Sequence, residues 1–332
     1  MSGKGLCVGL IVVAAGVGVR AEPATRQLSV CHAGSVGAAL AEVEKSFKAQ
    51  HPDVVVSDVS GGSVALARKL ATGVQACDVY ASADYLTIDR MLKPAGLADY
   101  TIVFAQGRMV LAYLASDPKA QGITIENWYR KLMAPGVRIG GAHPFLDPGG
   151  YRAHMILDLA QRLYGVPNLY NELLEHYEVI PAAPVADGAA APALGREFNF
   201  QFSYEHTAVA TARRNPAYRY LQLPDRVDLS ASSNAASDAQ ASVTLPGLGI
   251  PAAASTVTIP ASPAAWGVTI VKTSANRDNA LAFLSLLLGP IGTGALNANG
   301  PSPVAPAMVS RPEYAQIPQA LRSLLASRPA AP

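Results

Sequence analysis

The chain has 332 residues, of which 15% are charged, and its formal net charge is +2 at pH 7. So small a charge argues against the basic surface that nucleic-acid binding requires. The Cys and His residues show none of the spacings of a zinc site, and the length is enough for two domains of ordinary size.

The N-terminus has the pattern of a secretory signal. Lys4 precedes the apolar stretch Leu6–Val19, and small residues at the −3 and −1 positions fit cleavage after Ala21. The stretch is too short to span a bilayer comfortably, and Cys7 lies too early for a lipoprotein cleavage site. We therefore predict that residues 1–21 are a signal peptide and that the mature protein is periplasmic or otherwise extracytoplasmic.

The first third of the mature chain alternates strands and helices. The predicted strands are Leu28–Cys31, Val54–Val59 and Val79–Ser82. The first helix carries Leu40, Val43 and Phe47 on one face; the second carries Leu66, Ala67 and Leu70 and ends at Gly73. This alternation predicts a parallel sheet with helices on its faces.

Both predicted strand-to-helix turns end in Gly-Ser, at Gly34-Ser35 and Gly62-Ser63. A serine at a helix start can simply cap free backbone N–H groups. Two such turns at neighbouring strand ends would, however, face the same crevice, where ligands of open α/β sheets bind. Neutral hydroxyl and N–H donors at a positive helix end suit an anion.

Two cysteines follow the predicted cleavage site, Cys31 and Cys77, and each lies near a predicted strand end. An oxidising compartment would allow a disulfide between them. Adjacent parallel strands rarely give good disulfide geometry, so two buried free thiols are an equal alternative.

A second group of elements begins with the strand Arg108–Leu114, which we predict to cross into a second lobe. A short helix at Asn127-Trp-Tyr and the strand Val137–Gly140 follow. The next turn runs from His143 to Tyr151 and opens a helix that ends at Gly165. This turn contains Asp147, which is either a helix cap or a ligand-binding carboxylate, and glycines that permit close backbone approach.

The remainder is less regular. Pro181–Pro192 is predicted to be an irregular loop, and Leu229–Pro260 a surface loop. Alternating aromatic residues in Phe198–Tyr204 predict a half-buried strand, and Trp266–Val271 is a further strand. The last predicted elements are the helices Asn279–Leu288 and Gln316–Leu325.

Seven motifs in order resemble the molybdate/tungstate-binding proteins of ABC transporters, most closely their archaeal-type branch. They are CHAGS (31–35), GGSVALARKLATG (61–73), DVYASADY (78–85), ENWY (126–129), DPGGYR (147–152), LPD (223–225) and WGVTI (266–270). The resemblance implies a two-lobe type II periplasmic-binding fold in which each lobe is a mainly parallel sheet flanked by helices. The predicted lobes are 27–107 plus 272–332, and 108–271, with the ligand in the cleft between them.

The resemblance also implies site residues. Ser35 and Ser63 match anion-binding serines, Asp147 matches a carboxylate that ligates the metal of the oxyanion, and Tyr204 matches a ligand-contacting tyrosine. If the alignment with the family has its gap at another position, His206 takes the place of Tyr204. Ala186 stands where the family usually has a second carboxylate. Further candidates are the turn residues Gly34, Pro148 and Gly149 and two replacement carboxylates, Asp187 and Glu205.

Molybdenum and tungsten in their oxyanions accept extra oxygen donors, whereas sulfur in sulfate does not. A carboxylate at the site would therefore favour molybdate and tungstate and repel sulfate. The expected partners are one of these anions and an ABC permease, with no cofactor, no free metal ion and a monomeric protein. Three alternatives remain: a receptor for sulfate or another oxyanion, an exported sensory or structural protein, and a hydrolase that uses Ser35, His32 and Asp147.

Overall fold

The computed structural model describes residues 26–180, 194–231, 241–248 and 256–328. The predicted signal peptide, the predicted loop Pro181–Pro192 and the candidate Asp187 lie outside these ranges.

The strands are β1 (Arg26–Ala33), β2 (Val54–Gly61), β3 (Val79–Ser82), β4 (Ile102–Gln106), β5 (Met109–Leu114), β6 (Ile139–Gly141), β7 (Tyr177–Val179), β8 (Phe200–Tyr204), β9 (Tyr218–Gln222), β10 (Ser242–Pro246), β11 (Thr256–Pro260), β12 (Ala265–Ile270), β13 (Ser302–Ser310) and β14 (Leu325–Arg328). The helices are α1 (Gly37–Gln50), α2 (Ser63–Ala71), α3 (Tyr85–Thr87), α4 (Trp128–Leu132), α5 (Pro148–Tyr164), α6 (Leu169–Glu175), α7 (Glu205–Arg214), α8 (Arg277–Leu288) and α9 (Pro290–Asn299).

The described strands form two large sheets. The first has the order β14-β13-β4-β12-β3-β1-β2, and the second has the order β7-β6-β8-β5-β9. The two-lobe α/β prediction is confirmed, but the sheets are mixed instead of mainly parallel. In the first sheet β12 runs antiparallel to both of its neighbours, because the chain re-enters from the second sheet in the opposite direction. In the second sheet β5 is antiparallel to β8 and β9.

The amphipathic helices of the first sheet form as their spacing predicts. In α1 the buried residues include Leu40, Val43 and Phe47, and in α2 they include Leu66 and Leu70. Each strand that was predicted from the sequence begins and ends within two residues of the corresponding observed strand. Apolar periodicity therefore places these elements well.

The chain passes between the sheets twice. It leaves the first sheet between β4 and β5, through Gly107 and Arg108, and returns after β9 to enter β12. Because β12 pairs with β3 and β4, the strand belongs to the first sheet. The predicted second lobe, residues 108–271, therefore wrongly includes this strand.

Two other predictions are wrong. Within Leu229–Pro260, the described residues form an antiparallel hairpin of β10 and β11, in which Leu245 and Ile259 are buried. The Ser- and Ala-rich composition of the segment concealed the alternation of aliphatic residues with serine and threonine in these two strands. The predicted C-terminal helix is instead the 3₁₀ turn Gln319–Leu324 followed by β14, which pairs with β13.

Cys31 and Cys77 form a disulfide, with their Cα atoms 5.7 Å apart. Cys31 lies within β1, but Cys77 lies two residues before β3 begins. The geometric objection to a bond between adjacent parallel strands therefore does not apply to this pair.

No single helix in the described ranges is both long and apolar enough to cross a membrane. The consecutive helices α8 and α9 meet the length and composition test only as a pair, and the pair is bent by 60°.

Candidate functional site

The two Gly-Ser turns lie side by side at the carboxyl ends of β1 and β2, where Ala33 pairs with Gly61. Ser35 belongs to a 3₁₀ turn, Gly34–Val36, so α1 begins later than the sequence suggests, at Gly37. Ser63 is the first residue of α2 and is fully buried.

Neither serine uses its hydroxyl as a helix cap. The indole N–H of Trp266 donates to Ser35 Oγ at 3.0 Å, and the backbone N–H of Ala83 donates to Ser63 Oγ at 3.0 Å. Each oxygen thus accepts a hydrogen bond from the protein.

Tyr204 ends β8 in the second sheet and is buried. Its hydroxyl oxygen accepts a hydrogen bond from Arg152 Nη1 at 2.8 Å, and its ring lies 4.8 Å, between centroids, from that of Trp266. Burial raises the pKa of Tyr204 above its usual value, so the hydroxyl stays protonated. Trp266 contacts both Ser35 and Tyr204 and so connects the two sheets at the site.

The three hydroxyls share one property. Among the described residues, Ser35, Ser63 and Tyr204 each accept a hydrogen bond through the side-chain oxygen, and the Ser63 hydroxyl also lies within hydrogen-bonding reach of the Tyr80 hydroxyl. A hydroxyl has one proton to donate. Ser35 and Tyr204 therefore each keep an O–H donor for a group that only accepts, and Ser63 can direct its proton to such a group in place of Tyr80.

Asp147 caps α5, since its Oδ1 accepts from the backbone N–H of Gly149 at 2.7 Å. Of the two alternatives for Asp147, the structure shows the helix cap, and this Gly149 N–H is therefore occupied. The other oxygen, Oδ2, faces the first sheet, because a Cβ built on Gly62 would lie 3.2 Å from it. Burial raises the pKa of Asp147. One carboxylate oxygen thus holds the helix, and the other points to the Gly62-Ser63 turn.

The two other candidates in the turns are Pro148 and Gly34. Pro148 is the buried first residue of α5, where its missing N–H costs nothing. Gly34 is exposed at the start of its turn.

His206 lies at the site, whereas Glu205 is engaged elsewhere. His206 Nε2 lies 2.7 Å from the backbone oxygen of Ser35, so the ring donates to this carbonyl across the two sheets. Glu205 accepts from Gln222 at 2.7 Å and lies 3.6 Å from Arg108. Both residues offered by the two possible alignments therefore lie together: Tyr204 contacts Arg152 and Trp266, and the His206 ring lies 5.9 Å from that of Tyr204 and 5.4 Å from that of Trp266, between centroids.

Arg152 was missed by the sequence analysis. It lies one turn into α5, is 1% exposed, and donates from Nη1 to the backbone oxygen of Ala83 at 2.7 Å. Its Nη2 lies 3.4 Å from Asp84 Oδ2. The available signal was an arginine beside Tyr151 among the apolar residues at the start of a helix. Because arginine is usually exposed, its burial was not predicted.

The residues considered for a hydrolase do not assemble. His32 Nδ1 lies 2.8 Å from the backbone oxygen of Ala33, and Nε2 lies 2.6 Å from Asp58. Ser35 Oγ is instead bonded to Trp266. Across the parts of the chain that are described, no three His, Cys, Asp or Glu side chains are grouped so as to hold a free metal ion.

Comparisons with known proteins agree on the family. The family model of the bacterial extracellular solute-binding proteins matches residues 28–301. An uncharacterized solute-binding protein of Methanoculleus marisnigri is 31% identical over 90% of this chain and 86% of the relative. The molybdate/tungstate-binding protein WtpA of Thermococcus kodakarensis is 28% identical over 91% of this chain and 88% of the relative, which confirms the resemblance seen in the motifs.

Solved structures share the fold. The sulfate-binding protein SubI of Mycobacterium tuberculosis superposes with a TM-score of 0.59 and 19% identity, covering 84% of this chain and 87% of SubI. The periplasmic molybdate-binding protein of Azotobacter vinelandii superposes with a TM-score of 0.56 and 18% identity, covering 83% of this chain and 98% of that protein.

Proposed function

Because the chain belongs to the bacterial extracellular solute-binding proteins, we propose that it captures molybdate or tungstate for an ABC importer. The anion lies between the two sheets and contacts Ser35, Ser63, Tyr204 and Asp147. The protein acts outside the cytoplasm after removal of its signal peptide, as a monomer that hands its ligand to a permease and catalyses no reaction.

The observation that carries the proposal is the set of three hydroxyls, each of which accepts a hydrogen bond from the protein and so can direct its own O–H toward a ligand. A fully deprotonated oxyanion is an acceptor at every oxygen, so it complements three O–H donors. Hydrogen bonds to a charged group contribute about 1.5–3 kcal/mol each. The hydroxyls thus supply both the affinity and the preference for an anion.

Asp147 supports molybdate and tungstate in particular. A partly buried carboxylate such as that of Asp147 is normally unfavourable beside an anion, unless its free oxygen can act as a donor to the metal atom of the ligand. Molybdenum and tungsten accept such a donor and sulfur does not. With Glu205 bound to Gln222 and Arg108, Asp147 is the carboxylate that this proposal assigns to the metal.

Sulfate is the second candidate. The same three hydroxyl donors would complement sulfate, and a sulfate-binding protein is among the structural neighbours. The two ligands differ in size and in their response to the carboxylate, so affinity measurements separate them.

Isothermal titration of the purified protein with molybdate, tungstate, sulfate and phosphate tests the proposal. We expect molybdate or tungstate to bind more tightly than sulfate and phosphate. Tighter binding of sulfate would favour the second candidate, and absence of heat with all four anions would reject an oxyanion ligand.

We expect Ser35→Ala and Ser63→Ala each to weaken anion binding by about 1.5–3 kcal/mol, because each removes a hydrogen bond to a charged ligand. Titration calorimetry measures the change. Ser46→Ala in α1, whose hydroxyl bonds only the Glu42 carbonyl, is the matched control and should bind like the wild type. Unchanged affinity in both site variants would contradict the proposed role of the hydroxyls.

We expect Asp147→Asn to lower the ratio of molybdate to sulfate affinity at least about tenfold, or ~1.4 kcal/mol. Asparagine caps a helix about as well as aspartate, so α5 is preserved, while the metal loses a charged donor and sulfate loses a repulsive neighbour. Asp117→Asn is the control, since Asp117 also caps a helical turn, at Lys119. A ratio that survives in Asp147→Asn would reduce Asp147 to a helix cap.

A further inference from the structure

Arg152 is the one lysine or arginine that is buried among the described residues. Taking a guanidinium out of water is costly unless its charge and its donors are met. Burial would lower the pKa of Arg152, but Tyr204 and Asp84 outweigh it, and the pKa is raised. The side chain is therefore a permanent positive charge between the two sheets. Anion binding by the three hydroxyls does not by itself explain why an arginine is buried here.

The hydrogen bonds of Arg152 lead to two of the three hydroxyl donors. Nη1 donates directly to the hydroxyl oxygen of Tyr204. It also donates to the carbonyl of Ala83, whose own N–H donates to Ser63 Oγ. One guanidinium thus fixes Tyr204 with its proton directed away from the arginine, and it holds the backbone that positions Ser63.

Arg152 forms a buried ion pair with Asp84, which lies at the Nη2 edge of the guanidinium. Asp84 accepts from Tyr151 at 2.6 Å and from the N–H of Leu86 at 3.0 Å, so much of its hydrogen-bonding capacity is used without the arginine. Arg152 Nη2 lies 3.4 Å from this carboxylate and has no hydrogen-bond partner in the described residues. Because Tyr204 lies at Nη1 and Asp84 at Nη2, an anion bonded to the Tyr204 hydroxyl would lie on the side of the guanidinium away from the carboxylate.

We propose that Arg152 is a positioning residue of the anion site, which orients the Tyr204 hydroxyl towards the ligand and places a fixed positive charge behind it. The proposal rests on the proposed function and deepens it. Its consequence is a preference for doubly charged tetrahedral anions over singly charged ones of similar size, because the attraction grows with the ligand's charge.

The test compares tungstate, a dianion, with perrhenate, a tetrahedral monoanion of similar size. Affinities are measured by calorimetry, or by competition where binding is weak, for the wild type, Arg152→Gln, Arg152→Lys, Tyr204→Phe and the double variant Arg152→Gln/Tyr204→Phe. Circular dichroism and melting curves establish that each variant is folded.

Arg152→Gln should lower the ratio of tungstate to perrhenate affinity at least about tenfold, ~1.4 kcal/mol. Arg152→Lys keeps the charge, so it should weaken both anions while leaving their ratio within about threefold of the wild type. With Tyr204→Phe already present, Arg152→Gln should weaken tungstate binding less than it does in the wild type, because part of its effect runs through that hydroxyl.

Equal losses for the two anions in Arg152→Gln would contradict the role of the positive charge, and additive losses in the double variant would contradict the orientation of Tyr204 by Arg152. If Arg152→Gln does not fold, Arg152→Lys still decides, because a collapsed ratio in a variant that retains the charge contradicts the proposal. A wild-type protein that binds neither tungstate nor molybdate would instead overturn the proposed function, and the inference with it.

Discussion

Reducing the bond between Cys31 and Cys77 is expected to lower the free energy of unfolding by about 4 kcal/mol. The bond joins residues 46 positions apart. The cross-link lowers the entropy of the unfolded chain and so stabilises the folded state. For a loop of this size the stabilisation lies between the ~3 kcal/mol of a 15-residue loop and the ~4.7 kcal/mol of a 100-residue loop. Reduction leaves two thiols of nearly unchanged volume, so the measurement isolates the cross-link.

Urea unfolding of the mature protein with and without reductant measures this difference. The double variant Cys31→Ala/Cys77→Ala is the control, because reductant should leave its stability unchanged. A loss below about 1 kcal/mol on reduction of the wild type would mean that the covalent loop closure contributes little.

The bond also bears on the compartment. Disulfides persist in oxidising environments and are rare where thiols are kept reduced. A structural disulfide in a chain that begins with a signal-like segment therefore supports the proposed extracytoplasmic location.

Replacing Asp84 by alanine is expected to cost about 3–5 kcal/mol of folding free energy, the usual result of leaving one member of a buried ion pair uncompensated. Asp84 and Arg152 are each 1% exposed. The substitution also removes the acceptor of the Tyr151 hydroxyl and the side-chain cap at Leu86.

Denaturant unfolding checks this, and Asp84→Asn separates charge from hydrogen bonding, because asparagine can keep the cap and the acceptor. Asp84→Asn should therefore fall between the wild type and Asp84→Ala. Asp99→Ala, which breaks the exposed pair with Lys272, is the control and should change stability little. A loss in Asp84→Ala no larger than in this control would contradict a strong buried pair.

The parts of the fold that follow from local pattern could be predicted from the sequence. Apolar spacing in α1 and α2 and the Gly-Ser turns after β1 and β2 are short-range features, and the structure has them nearly where the sequence indicates. The cap at Asp147 is likewise a local signature.

What the sequence did not reveal depends on contacts between distant residues. The position of β12 inside the first sheet is set by pairing with strands more than 150 residues earlier. Burial of Arg152 requires Ala83 and Tyr204 to meet it from different sheets. Such pairings leave no periodic trace, because each participating residue is unremarkable within its own segment.

The close approach of the two sheets at Gly62 has a kinetic consequence. The backbone N–H of Ala65 donates to the Leu146 carbonyl at 3.1 Å, Arg68 donates to the Phe145 carbonyl at 2.8 Å, and a Cβ on Gly62 would come within 2.5 Å of the Leu146 oxygen. Separating the sheets breaks these bonds, so the lifetime of a trapped solute would follow the opening rate of the protein. Slow release can then arise from contacts that never touch the solute, and a partner that pulls the two sheets apart would shorten that lifetime without competing for the site.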